Sequence, residues 1–230
     1  MTGLGPQEWA AIALSLRVAI VATLVALPLA VWVAHLLARK SFRGRWLLNA
    51  LVHLPLVLPP VVTGYLLLVL FGGNGWIGRI LADVFGITLA FRWTGAALAA
   101  AIMAFPLMVR AIRLGLEAVD PGLEVAARTL GASNWRVFRT VTLPLISPSI
   151  LAAAVLGFAK ALGEFGATIT FVAAIPGQTQ TIPSAIYGLL QVPGQEPAIV
   201  GLVAVSIFFA IGALVVSEWL AARSVRGRDD

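Results

Sequence analysis

Cysteine is absent from the 230 residues, histidine occurs twice, and charged side chains make up only 11% of the chain. The first absence excludes disulfides, thiolate chemistry and cysteine-ligated metals. His35 and His53 stand too far from other ligand types to argue a metal. No Gly-x-x-x-x-Gly-Lys-Ser/Thr segment occurs, so the chain has no P-loop of its own to cradle ATP phosphates. The apolar stretches hold no Ser/His pair, Asp dyad or His cluster arranged for catalysis. The polar/apolar alternation of barrel strands is missing, as are internal repeats, low-complexity tracts and signs of a second domain. The N-terminal MTGLGPQEWA has no basic segment or small-residue cleavage site, so the first apolar run is expected to be retained.

What is present is apolar surface. Hydrophobic residues make up 60% of the chain and the mean hydropathy is +0.98, more than a soluble core absorbs. Repeated runs long enough to cross about 30 Å of hydrocarbon predict an all-α, polytopic transmembrane bundle in a lipid bilayer. One membrane domain over 1–230 is expected, with five spans at about 9–38, 47–71, 94–116, 149–173 and 198–222. Between the second and third, a glycine-rich stretch leads into a semi-amphipathic run, Leu81 to Ala90, too short to cross and expected as an interfacial or re-entrant helix. A sixth span there is the alternative.

The net charge of +6 is concentrated beside the apolar runs: Arg39, Lys40, Arg43 and Arg45, then Arg110 and Arg113, then Arg223, Arg226 and Arg228. Such clusters mark cytoplasmic loops, which puts the N-terminus outside and the C-terminus in the cytoplasm. Arg17, near the outer end of the first span, is expected to snorkel. Pro55, Pro59 and Pro60 remove donors and crowd the preceding turns, so the second span is expected to kink or start late, as plain structure or as a gating hinge.

The polar interruption at 120–144 falls on the cytoplasmic side of this topology. Asp120 is placed as an N-cap with Pro121 at the first helical position, and Gly131 as the left-handed stop. Ser133 is placed to cap a second short helix, Asn134 to Val141, which Pro144 is expected to stop. The product is helix, tight turn, helix. Ala127, Gly131 and Val137 also fall at the offsets of DNA-binding helix-turn-helix motifs, with Arg128, Arg136 and Arg139 available for phosphates. Apolar spans begin within a few residues on both sides, leaving no room for the soluble domain such motifs belong to, so no nucleic-acid partner is expected.

On these residues the segment resembles the EAA loop of binding-protein-dependent ABC importer permeases: Glu-Ala-Ala, three residues, Gly, nine residues, Ile, one residue, Leu-Pro. Ala126 and Ala127 match the alanines, Gly131 the glycine, Val141 the isoleucine, and Leu143 with Pro144 the Leu-Pro. Val125 stands at the glutamate position and the acid is one place earlier, Glu124. The stretches Leu51 to Gly75, Ala104 to Glu124 and Phe158 to Tyr187 are similar to the oxyanion branch of that family. Within that branch the short chain resembles the molybdate permeases, with sulfate/thiosulfate or tungstate permeases as the alternative.

The resemblance implies a coupling helix seated in a cytoplasmic ATPase, carried by Glu124, Ala126, Ala127, Gly131, Trp135, Val141, Leu143 and Pro144. Trp135, Val137 and Phe138 read as its apolar anchors. It further implies a homodimer in a bacterial inner membrane, two ATPase copies that bind ATP and Mg, and a periplasmic oxyanion-binding protein. The chain itself would carry no cofactor and no catalytic residue, and would import by alternating access. A stand-alone channel or secondary transporter is the rival, distinguished by flux without an ATPase.

Two ionisable residues stand inside the fourth expected span. Lys160 lies about twelve residues past Pro148, near the bilayer midplane at a rise of about 1.5 Å each. A charge against lipid there costs roughly 2.5–3.5 kcal/mol, so Lys160 and Glu164 must face protein or water. Their spacing places them on one helix face, as a mutual pair or as part of a pathway or gate. Thr168 and Thr170 are further pathway candidates. Gln178, Thr179, Gln180 and Thr181 are candidate donors in an outer loop that would meet the binding protein.

Overall fold

A computed structural model of the chain describes residues 4–226; Arg228, the last of the basic cluster above, lies outside the described residues. Within that range the regular structure is entirely helical. In chain order the helices are α1 (Pro6–Arg39), α2 (Arg45–Val57), α3 (Pro60–Phe71), α4 (Trp76–Phe85), α5 (Trp93–Glu117), α6 (Pro121–Thr129) and α7 (Asn134–Val137). A π-helical turn (Phe138–Thr142) leads into α8 (Leu143–Leu162), followed by α9 (Gly166–Val172), α10 (Ile182–Leu189) and α11 (Glu196–Arg226).

The centre is built from α1, α5 and α8. Alanines 19, 22, 26, 30 and 34 put methyl groups along one face of α1, all of them buried, and α5 answers with Ala96, Ala97, Ala100, Ala101 and Ala104. In lipid, helices gain little from hiding apolar surface, so small residues that let backbones approach provide the packing. Met108, Ile112 and Leu116 on α5 and Ile146 and Ala153 on α8 complete this core. By contrast, only 6% of the apolar stretch of α11 is buried. The loop between α5 and α8 defines one end of the bundle, shared with the end of α1 and the start of α2. The beginnings of α1, α5 and α11 lie at the opposite end.

Among the described residues, four helices are long and apolar enough to cross a membrane: α1, α5, the continuous run Asn134–Leu162, and α11; α2 with α3 makes a fifth if the bent pair is one span. The second span bends at its prolines, as expected. It turns by 114° at Leu58–Pro59, where two consecutive prolines cannot continue the ladder of α2. The expected span at 149–173 is broken as well, since α8 ends at Leu162 and α9 restarts at Gly166.

Two further expectations are corrected. The short helix between spans runs from Trp76 to Phe85 rather than from Leu81 to Ala90, because Gly86 takes the left-handed conformation (φ +66°) and its N–H closes the helix on the Ala82 carbonyl. Pro144 does not stop the second loop helix. The Phe138–Thr142 turn widens to π geometry, with the Leu143 N–H reaching the Phe138 carbonyl. That spares the proline ring its collision with the carbonyl four residues back and lets Pro144 sit in the first turn of α8, where a missing N–H goes unnoticed. Helix thus runs without interruption from the loop into the membrane span.

Candidate functional site

The 120–144 loop is capped as its residues dictate. The Asp120 carboxylate accepts from the Gly122 N–H at 2.8 Å, and α6 closes with Gly131 at φ +84°. The Gly131 N–H bonds to the Arg128 carbonyl (2.9 Å) and the Ala132 N–H to the Ala127 carbonyl (3.1 Å), the paired bonds of a left-handed helix stop. Ser133 Oγ accepts from the Arg136 N–H and starts α7.

Beneath this turn lies an ionic anchor. Glu124 is 6% exposed. Its Oε1 accepts from Arg39 Nε at the end of α1 (3.2 Å) and from the Thr142 hydroxyl of the π turn (2.9 Å). Arg39 also donates to the Val119 carbonyl at 3.1 Å. One carboxylate therefore ties together α1, α6 and the start of α8. Val137, expected as an outward anchor, is buried at 4% instead, and Phe138 packs edge-on against His35 of α1 with ring centres 5.2 Å apart. Outward-facing apolar residues are Leu123, Val125, Leu130 (89% exposed) and Trp135 (69% exposed). Leu130, overlooked in the sequence, stands at the very tip of the turn. Ala126 is exposed, Ala127 and Val141 half-buried, Leu143 half-buried and Pro144 exposed.

The second site is where the two helix breaks meet. A Cβ on Gly166 would lie 2.6 Å from Pro60 Cβ, and one on Gly64 would lie 2.5 Å from the Ala167 carbonyl oxygen. Only hydrogen at both positions lets α3 and α9 cross so closely. Glu164, 2% exposed, sits in the break itself: one oxygen takes Lys160 Nζ at 2.7 Å, and the other accepts the Ala167 N–H at 3.0 Å, capping α9. The pair forms, but not along one helix face, because Glu164 lies beyond the end of α8. The hydroxyls of Thr168 and Thr170 are committed to the Phe165 and Gly166 carbonyls (2.8 Å each). Thr63, in the first turns of α3, is buried with its hydroxyl unpartnered among the described residues. It went unremarked in the sequence, where nothing sets it apart.

The outer-loop candidates separate into two kinds. Thr179 is buried, accepts from the Ile175 N–H and donates to the Ala173 carbonyl; Thr181 is buried and caps α10 with Ser184. Gln178 is exposed, and Gln180 half-buried.

Among the described residues no three His, Asp or Glu side chains gather as a metal site. The arrangement comprises an anchored knob on one end, two apposed helix breaks within the bundle, and at their crossing an ion pair in which Glu164 is buried and Lys160 half-buried.

Comparison with known proteins accords with this layout. The molybdenum transport system permease protein ModB of Escherichia coli (strain K12) is 60% identical over 93% of this chain and 93% of its own. The sulfate transport system permease protein CysT of Salmonella typhimurium (strain LT2) is 40% identical over 81% of this chain and 67% of its own. A solved bacterial ABC transporter involved in alginate import shares the fold, with a TM-score of 0.71, 20% identity, and 97% and 80% of the two chains covered. Residues 26–228 match the family described as binding-protein-dependent transport system inner membrane component, and the chain belongs to that family.

Proposed function

We propose that this chain is the membrane-spanning subunit of an ATP-driven molybdate importer, a multi-pass protein of the bacterial inner membrane. It works as a homodimer with two ATPase subunits on the cytoplasmic side and an oxyanion-binding protein on the other. The observation that carries the reading is the anchored loop: its outer face shows Leu123, Val125, Leu130 and Trp135, while Glu124 and Arg39 fix its inner face to the bundle. Exposed apolar groups on a rigid turn are what a partner's groove takes up. A chain without a P-loop of its own needs such a partner for ATP and Mg.

Movement of the ATPase pair is delivered to Trp135 and Leu130, and passes through unbroken helix into α8. There it reaches Lys160, Glu164 and the crossing of α3 with α9. Closing that crossing on one side while opening it on the other is alternating access. Molybdate is favoured as cargo by the higher identity to a molybdenum permease than to a sulfate permease. Both anions, and tungstate, are divalent and tetrahedral, and a pathway that held any of them tightly would not release it.

The test is uptake into proteoliposomes holding this chain, its ATPase and the loaded binding protein. ATP should drive labelled molybdate inward, with unlabelled tungstate competing better than sulfate. Preference for sulfate would reassign the cargo, and anion flux without the ATPase would make the protein a channel or secondary transporter.

A further inference from the structure

At the end of the bundle away from the loop, the first part of α1, the start of α5, the 86–92 turn and the loop after α9 enclose a cavity of about 790 Å³. Arg17 of α1 and Arg92, the N-cap residue of α5, both line it, with Thr88, Thr94 and Gln178. No carboxylate is among its lining residues. Arg17 does not merely snorkel: its guanidinium carbon lies 3.7 Å from the centre of the Trp93 ring. Stacking of that kind uses the face of the guanidinium and leaves its rim of N–H donors free.

The charges at this site are uncompensated. Arg39 and Arg113 each hold a glutamate, whereas neither Arg17 nor Arg92 has an ion pair or side-chain hydrogen bond among the described residues. Both arginines are exposed, so water screens their mutual repulsion, while the start of α5, which no side chain caps, adds positive potential. Phe91, which also lines the cavity, is held at φ +58°, a conformation uncommon for a bulky residue. Strain of this kind persists where the surroundings demand a particular backbone course.

We infer that this cavity binds a tetrahedral oxyanion, with Arg17 and Arg92 as charged donors and Thr88, Thr94 and Gln178 as neutral ones. Planar guanidinium forks suit the paired oxygens of such an anion. A free dianion and the phosphate of an anionic lipid offer the same chemistry. The inference rests on the permease reading only for its setting: with the loop in the cytoplasm, the cavity lies on the outer face, where an arriving anion first meets the chain.

The experiment is equilibrium binding of labelled molybdate and labelled sulfate to the full chain with its ATPase, in nanodiscs and without binding protein, at constant ionic strength. In phosphatidylcholine discs the wild type should bind one dianion per chain. Arg17→Gln and Arg92→Gln should each weaken binding about tenfold, and the double variant should abolish it, while Arg17→Lys/Arg92→Lys retains part of it. Phosphatidylglycerol discs separate the sources. If added lipid leaves binding unchanged, the free anion is the ligand. If it displaces the dianion and is itself retained by wild type but not by Arg17→Gln/Arg92→Gln, the lipid phosphate is.

Equal binding in wild type and a folded double variant overturns the inference. So does the absence of both anion and lipid retention. ATP-driven uptake by the wild type, measured in parallel, separates failure of this site from failure of the permease reading.

Discussion

Glu124 shows how much one residue of register decides. Neighbouring positions on a helix are about 100° apart, so moving an acid by one place turns it from one face to another. Glu124 faces inward to Arg39 and Thr142, and Val125, at the position where the EAA pattern puts glutamate, faces outward. With both partners largely buried, Glu124→Ala leaves Arg39 uncompensated and is expected to destabilise the protein by about 3–5 kcal/mol. A lowered thermal unfolding midpoint in detergent checks this, and Glu124→Ala combined with Arg39→Ala should recover part of the loss. Gly131 is a separate case. An added Cβ there meets nothing within 4 Å, so its substitution acts through φ +84° alone. Gly131→Val should uncouple the ATPase while membrane insertion persists, and Gly131→Asn, which tolerates the left-handed region, should retain coupling. Substrate-stimulated ATP hydrolysis in the assembled complex distinguishes the two.

Among the elements, the breaks are the proposed moving parts, and they are unequally legible in the sequence. Pro55, Pro59 and Pro60 announce a disturbance in the second span, because a missing N–H is written in the sequence. The break at Gly163–Phe165 has no such mark. Lys160, Gly163 and Glu164 flank it, but none of them ends a helix by itself, and what ends α8 is tertiary: α3 crossing at Gly166, with Glu164 capping α9. The π turn before Pro144 was missed for a related reason, since a proline read alone signals a stop, whereas a widened turn ahead of it lets helix continue. The caps at Asp120, Gly131 and Ser133 were readable because each is a local bond between near neighbours. At the crossing, Gly166→Ala forces Pro60 aside and is expected to cost about 1–3 kcal/mol in stability. Uptake should fall more than stability does if the crossing is the moving part, so transport rate and unfolding midpoint should be measured on the same preparation.

The whole molecule is a dense alanine-lined centre with a sparsely buried α11 at its side and a fixed knob at one end. That imbalance fits a subunit that is completed by lipid and a second copy, and driven from outside. Force is proposed to enter at Leu130 and Trp135, travel through the Glu124 anchor and the unbroken Asn134–Leu162 helix, and act where α3 meets α9. The most direct test is ATP-driven molybdate accumulation in proteoliposomes by wild type and by Leu130→Asp, which places a charge at the tip of the knob without touching the bundle. Wild type should accumulate molybdate only with ATP, and Leu130→Asp, inserted and folded to the same extent, should not accumulate it. Equal accumulation by both, or accumulation without ATP, would contradict a loop that couples ATP hydrolysis to transport.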